Sequence, residues 1–587
     1  MPRGLPADGV PASLSRRVAL RLVLSTASAA LLAACGGAAT PASPGPTVAP
    51  TTPPAAAPKP TAGAAGAAPT VPATTTSAAQ PTAAAVPTVT SATPTPAASS
   101  QVKTGGTLRV GMVGDITGLD PFVWSPNNSN TVGQVHDQLI TFDEKFAPQP
   151  RLAESWELSS DNKQIKFNLR KGVQYHNGRE FTSDDVKYTL LRAQDPKTLN
   201  RATVGPGAAY WSGVDTPDKY TVVLSSDLPR PGAFDSILYL RILDKELTES
   251  PDAATRMNGT GAFKFVEWSS GDHITMARNP NYWEPGLPYL NEVDTRIFND
   301  QSSMVVALES SAIDMAFAPS IQDSARLKAD PQWNVYNNAE LGQYFYLQMN
   351  VGSPPLDNKV LRQAIAYAID RQRFADVIMK GFAGIPKDLP WPTGSAAYEA
   401  DKNNHYAFDL DKARAMVAQS GVADPQFDLA YALASFAGEY AQLAQIIQAD
   451  LAQIGVQTTL KPQEIAAFTQ AGIGVNPPYT GARLSASAFT NVSEPTSHFI
   501  LSSTFGSAIN QSGFYDDAYK ALIAATTDEP DPAKRKQGYS KINDYLLDQA
   551  YCLVISGYPN ILAQAPNVRD LGYYPVLQWT LRTTWMA

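Results

Sequence analysis

Two cysteines and five histidines are the softest nucleophiles and metal donors in the chain, and their spacing limits their chemistry. His136, His176, His273, His405 and His498 are far apart. No two have the three- or four-residue spacing that puts two imidazoles on one helix face, and none lies near Cys552 in the sequence. They read as surface or hydrogen-bonded side chains, with a structural role for His176, so neither a metal nor a cofactor is expected. The sequence contains no GxSxG elbow, no HExxH and no phosphate-binding loop. A hydrolase would therefore have to rest on paired carboxylates, which any fold could bring together. Two cysteines cannot build a disulfide framework, and Cys552 reads as a small buried apolar residue.

Cys35 is different. Arg3, Arg16, Arg17 and Arg21 precede an apolar or small-residue run from Leu22 to Ala34, which ends in Leu32-Ala33-Ala34-Cys35-Gly36-Gly37. Thirteen residues are too few to span a bilayer, which needs about 20, but they suit a signal-peptide core. The run resembles a bacterial lipobox, in which the cysteine thiol is acylated and becomes the first residue of the mature chain. Residues 1–35 are thus expected to be an export leader, with Cys35 as lipidation site and membrane anchor. Ser15-Arg16-Arg17 has a twin-arginine flavour, but Ala19 departs from that pattern, so both export routes stay open. Residues 36–102 contain 14 prolines, one charged residue (Lys59) and no aromatic. Such a tract buries too little apolar surface to offset its ordering entropy and is expected to stay extended and unfolded. At ~3.1 Å per residue its reach is at most about 200 Å. The expected location is the outer face of the cytoplasmic membrane.

The remaining 103–587 must form a folded body. The chain has 587 residues, 44% hydrophobic and 17% charged, enough for three or four domain-sized units. Its net charge of −8 and the absence of a basic block argue against a nucleic-acid partner. Leu108, Val110 and Met112 alternate as a strand, as do Ile165, Phe167 and Leu169. Asn177-Gly178 marks a tight turn. Thr182 or Ser183 then caps a helix with Asp184 and Asp185 in its first turn and Val186, Leu190 and Leu191 on one face. Residues 220–229 read as a strand, and 259–283 as two antiparallel strands joined at Ser270-Gly271. Residues 341–381 read as strand, turn and helix, the helix capped near Asp357 or Asn358. Further amphipathic helices precede a strand from Val456, and two helices and a strand follow near the C-terminus. Strands and helices mix throughout, so the class is α/β.

Four stretches, in order, carry a family resemblance: "FNLRKGVQYHNGREFTSDDVKYTLLRA", then "GTGAFKFVEW" with "RNPNYW" and "LPYLNEVDTRIF", then "LQMNVGSPPLDNKVLRQAIAYAIDRQRF", then "NQSGFYDDAYKALI" with "INDYLLDQAYCLVISGYP". With them the chain resembles the extracytoplasmic solute-binding proteins of ABC importers, family 5, which includes oligopeptide- and dipeptide-binding proteins. The resemblance implies a two-lobed periplasmic-binding-protein clamshell of the large, type II class with an extra subdomain. One lobe would comprise 103–145, 256–345 and 546–587, the extra subdomain 146–255, and the other lobe 346–545. A monomer would close by hinge motion on a solute and present it to an ABC permease and ATPase complex, without covalent change.

Aromatic side chains suit such a cleft because they supply large contact area at low entropic cost. Trp124, Tyr210, Trp211, Tyr344, Tyr346, Trp391 and Phe489 are the candidates, each equally open to core packing; Tyr344 and Tyr346 share one strand face. Tyr282 and Trp283 read as structural. In peptide binders of this family, a segment similar to "ASAFTNVSEPTSHFIL" carries an Asp that pairs with the peptide α-ammonium. Matching Glu494-Pro495 to that pattern puts Asn491 at the Asp position. A buried ammonium facing a neutral amide lacks its counter-ion, at a cost of several kcal/mol. Either another acid such as Glu494 substitutes, or the ligand has no ammonium there. The solute is then a peptide or, alternatively, a neutral or sugar-like molecule such as an oligosaccharide. A sensor or chaperone role on the same fold, or an anchored extracellular hydrolase, are the competing readings.

Overall fold

The computed structural model describes residues 102–587 except 124, 144, 201–203, 339–342, 385, 434–436, 473–478, 488–493, 502–503, 507–509 and 575–577. The leader, Cys35, the Pro-Ala-Thr tract, Trp124, Phe489 and Asn491 lie outside the described residues.

The strand Thr107–Val113 buries Leu108, Val110 and Met112 completely, as their alternation predicts. It lies at the centre of a seven-stranded sheet. The order is Asn334–Asn337, Ile561–Gln564, Met315–Phe317, Thr107–Val113, Glu292–Phe298, His273–Arg278, Phe263–Ser269. The central strand runs parallel to Glu292–Phe298 and to Met315–Phe317, so their C-terminal ends emerge at one edge. The expected hairpin is present: Phe263–Ser269 pairs antiparallel with His273–Arg278, and Gly271 takes the positive φ of 77° that the turn requires.

A second sheet has five strands in the order Gln457–Glu464, Gln426–Leu433, Ala482–Ser487, Tyr344–Met349, Cys552–Gly557. All six residues of Tyr344–Met349 are buried, and five of them belong to one large hydrophobic core. Against it packs the helix Lys359–Ala368, capped by Asn358, whose Oδ1 accepts from Leu361 N at 3.1 Å. Cys552 is 7% exposed in its strand, and burial pushes its thiol up, as expected of a small core residue.

A four-stranded antiparallel sheet, Ala153–Leu158, Gln164–Leu169, Thr221–Ser225, Gly213–Asp218, forms the smaller unit with the helix Ser183–Gln194. Asp185 accepts from Thr182 N at 2.9 Å and closes the helix start. Leu191, expected on the apolar face, is 47% exposed; Thr189 and Ala193 complete the face with Val186 and Leu190. The pattern of two adjacent leucines is ambiguous by one residue, or 100° of helix.

Two expected boundaries shift. The core of the smaller unit includes Leu139, Ile140 and Phe142 as well as Phe122, because Ile140–Phe142 forms a hairpin with Pro148–Pro150; the unit's core therefore starts well before residue 146. Residues 546–587 do not all join the first sheet. Cys552–Gly557 pairs with Tyr344–Met349 in the five-stranded sheet, and only from Ile561 does the chain enter the seven-stranded one. Described residues on either side of the crossing between the sheets are paired through their backbones. Tyr558 N donates to Gln343 O at 2.8 Å, and Asn338 N donates to Asn560 O at 3.2 Å.

The smaller unit is fixed to the first sheet by buried polar contacts. Arg151 donates to Asp137 at 2.7 Å, to Glu284 at 3.1 Å and to the Tyr282 hydroxyl at 2.6 Å, and Trp283 Nε1 donates to Asp137 at 2.9 Å. This is the structural role expected of Tyr282 and Trp283. His136 Nδ1 lies 3.3 Å from Ile242 O, and His176 Nε2 lies 2.9 Å from Gly261 O, each bond crossing between the units.

Candidate functional site

Parallel strands end in unpaired backbone and helix starts, so ligands collect beyond their C-terminal ends. Beyond Val113 and Phe317 of the seven-stranded sheet lies a cavity of about 720 Å³. One wall is built from Asp115, Thr117, Ser125 and Asn127, together with Asp300 and Gln301. Ser125 caps the helix Pro126–Val135, its side chain accepting from Asn128 N at 3.1 Å. Asp300 caps the helix Gln301–Glu309, accepting from Ser303 N at 2.8 Å. The other wall is built from Gln343, Tyr558 and Asn560 at the paired connections and from Gly438 and Glu439 at the start of the helix Ala437–Ala452. That helix follows the strand Gln426–Leu433 of the second sheet, so both sheets offer the C-terminal ends of parallel strands to the same space.

The residues singled out from the sequence are placed differently. Tyr344 and Tyr346 do share a face, with ring centroids 6.2 Å apart, but both are fully buried in the core of the second sheet. Their neighbour Gln343 is the residue that reaches the cavity. Trp391 is also core: its Nε1 donates to Asn543 at 2.7 Å and its ring meets Phe499 edge-on at 5.6 Å. Tyr210 and Trp211 lie in the core of the smaller unit, where Trp211 Nε1 donates to Ser236 at 3.0 Å. None of these five lines the cavity. An apolar ring in the sequence carries no sign of whether its face meets other chain or a ligand, and here the interior took them.

Glu494 lies at a junction between the smaller unit and the second sheet. Its backbone N donates to Asp235 Oδ2 at 2.9 Å, and Arg535 Nη2 stands 3.4 Å from its Oε2. Burial pushes its carboxyl up to about 7, against the pull of Arg535 and with the push of Asp235. Gly232 packs against the same segment; a Cβ there would stand 1.8 Å from Ser497 Oγ. Glu494 therefore holds two units together rather than lining the cavity.

The cavity-lining residues that the sequence did not single out include Asp115, Gln343, Glu439, Tyr558 and Asn560. Asp115 lies in a strand-to-helix connection and Glu439 in the first turn of the helix that follows a strand, which is the one signal that would have found them. Gln343, Tyr558 and Asn560 have none, because their position follows from pairing across more than 200 residues. Among the described residues, no group of His, Cys, Asp and Glu is arranged to hold a metal ion, and no helix is long and apolar enough to cross a membrane.

The model of the family "Bacterial extracellular solute-binding proteins, family 5 Middle" matches residues 147–517. The chain is 25% identical over 521 residues to the dipeptide-binding protein DppE of Bacillus subtilis (strain 168), spanning 82% of this chain and 93% of that protein. It is 28% identical over 353 residues to heme-binding protein A of Haemophilus influenzae, which spans 55% of this chain but 64% of that protein, just under two thirds of its length. The solved structure of the binding protein AgaA from A. tumefaciens R10 in complex with agropinic acid superposes with a TM-score of 0.70 at 25% identity, over 82% of this chain and 99% of that one.

Proposed function

The chain belongs to the bacterial extracellular solute-binding proteins, family 5, and from that membership we propose that it captures a small peptide-like solute between its two large sheets and hands it to an ABC permease and its ATPase. The observation that carries this reading is the cavity of about 720 Å³ at the facing strand ends, beside the backbone pairs Tyr558–Gln343 and Asn338–Asn560 where the chain passes between the sheets. Bending where the chain passes between the sheets would part the walls with little change inside either sheet. The protein works as a monomer, makes no covalent change to the solute, and is tethered by a lipid on Cys35 to the outer face of the cytoplasmic membrane. DppE is named for dipeptides and AgaA was solved with agropinic acid, so similar chains take solutes of more than one class. Asn491, where a peptide binder would carry Asp, favours a second reading, a neutral or sugar-like solute.

Mass spectrometry of whatever the purified mature chain releases on mild denaturation tests the choice. A ladder of mixed peptides supports the peptide reading. A single sugar or other neutral species replaces it with the second one.

A further inference from the structure

The walls of the cavity are electrically one-sided. Three carboxyl side chains line it, those of Asp115, Asp300 and Glu439, and among the described lining residues there is no Lys, Arg or His. The bordering sequence repeats the pattern: residues 110–144, 297–325, 329–358, 415–460 and 555–568 contain neither Lys nor Arg. Two of the carboxylates are held by the fold. Asp115 accepts from Trp268 Nε1 at 2.9 Å, from Ser270 Oγ at 2.8 Å and from Gly271 N at 2.8 Å. Asp300 caps its helix. Glu439 is held less firmly: it is half-buried, its carboxylate draws on its own backbone N–H, and among the described residues no other residue forms an ion pair or side-chain hydrogen bond with it. Burial pushes its carboxyl above the ordinary value.

Three helix N-termini also point charge at the cavity, those at Pro126, Gln301 and Ala437. Each is worth about +0.5 of an elementary charge, or about +1.5 together. Three carboxylates outweigh that and leave a surplus of about −1.5. A solute carboxylate entering this space would meet no cation on the described walls and would be repelled. A solute cation would find a waiting partner.

Taking the cavity as the solute cleft proposed above, we infer that its solute is an organic cation, a basic peptide-like molecule whose ammonium or guanidinium group pairs with Glu439. Glu439 is then the specificity-determining residue. Asp115 and Asp300, fixed by their own hydrogen bonds, supply the surrounding negative field.

Calorimetric titration of the solute-stripped mature chain with three N-acetylated tripeptide amides, acetyl-Ala-Lys-Ala, acetyl-Ala-Gln-Ala and acetyl-Ala-Glu-Ala, whose only charge is on the middle side chain, tests this. The lysine amide is expected to bind at least about tenfold tighter than the glutamate amide, since a charged hydrogen bond gained and a repulsion avoided amount to that much. Glu439→Gln, which removes a half-buried charge with no described partner beyond its own backbone and so leaves folding intact, is expected to abolish most of that preference. Equal or tighter binding of the neutral or acidic amide by the native chain overturns the inference and leaves the cleft reading standing. A charge preference that survives Glu439→Gln overturns the role of Glu439. Binding of none of the three overturns the peptide-like reading and the inference together.

Discussion

Glu494→Gln should make folding stability less sensitive to pH, by an amount the structure sets. The Glu494 side chain is 13% exposed, and burial raises its carboxyl from 4.5 to about 7 even with Arg535 at 3.4 Å. Between those two values the folded protein still holds a proton that the unfolded chain has released. Folding stability attributable to this group is therefore fully present below about pH 4.5 and falls as the pH rises towards 7. Above that, both states are ionised and the full penalty remains. At about 1.4 kcal/mol per pH unit the total is about 3 kcal/mol. Glutamine has no charge to desolvate. Arg535 does not lose all its partners in the variant, since its Nη1 also donates to Glu529 O at 3.0 Å and to Pro530 O at 2.8 Å. The assay is urea unfolding of both proteins from pH 4.5 to 8, followed by tryptophan fluorescence. The quantity of interest is the difference between the two at each pH, because other groups also titrate in this range. The variant should gain on the native protein by about 3 kcal/mol across the window. Parallel stability curves, or a native protein that gains on the variant as pH rises, would refute the buried-carboxyl argument.

Acid should loosen the attachment of the smaller unit to the first sheet. Burial lowers His136 and His176 from 6.5 to about 4, so the unfolded chain binds protons that the folded one refuses. Stability from each histidine is present above about pH 6.5 and is lost as pH falls towards 4, by up to about 3 kcal/mol; His176→Gln should flatten the urea midpoint over that range, and an unchanged slope would count against it. Gly259→Ala would place a Cβ 1.9 Å from Val135 O, a backbone atom that cannot step aside, so a loss of about 3 kcal/mol or more in urea unfolding is expected, and a neutral effect would contradict the packing described. Cys35→Ser should release the protein from cells into the soluble fraction; retention on the membrane would remove the lipid anchor from the proposal.

How much of this was legible beforehand depends on the range of the interaction. Thr182 with Asp185 and Asn358 with Leu361 are contacts over three residues, and the cap residues alone announce them. The alternation of Leu108, Val110 and Met112 likewise announces a strand with one wholly apolar side. The apolar run ending at Cys35 and the proline-rich tract after it are matters of composition. The ordered family blocks likewise carry the fold class in the sequence alone. By contrast, Tyr344 and Tyr346 share a face in either reading. Whether that face is core or cleft was decided by strands such as Ala482–Ser487 and Cys552–Gly557, more than 130 residues away. Glu439 was one acidic residue among 54 acidic side chains until the facing walls brought it to the same cavity as Asp115 and Asp300. The sequence by itself determined the class, the caps, the strand faces and the one-signed charge of the segments that border the cavity. Only the tertiary structure decided which of those segments meet, because a cleft is formed by surfaces whose pairing is absent from any local stretch of chain.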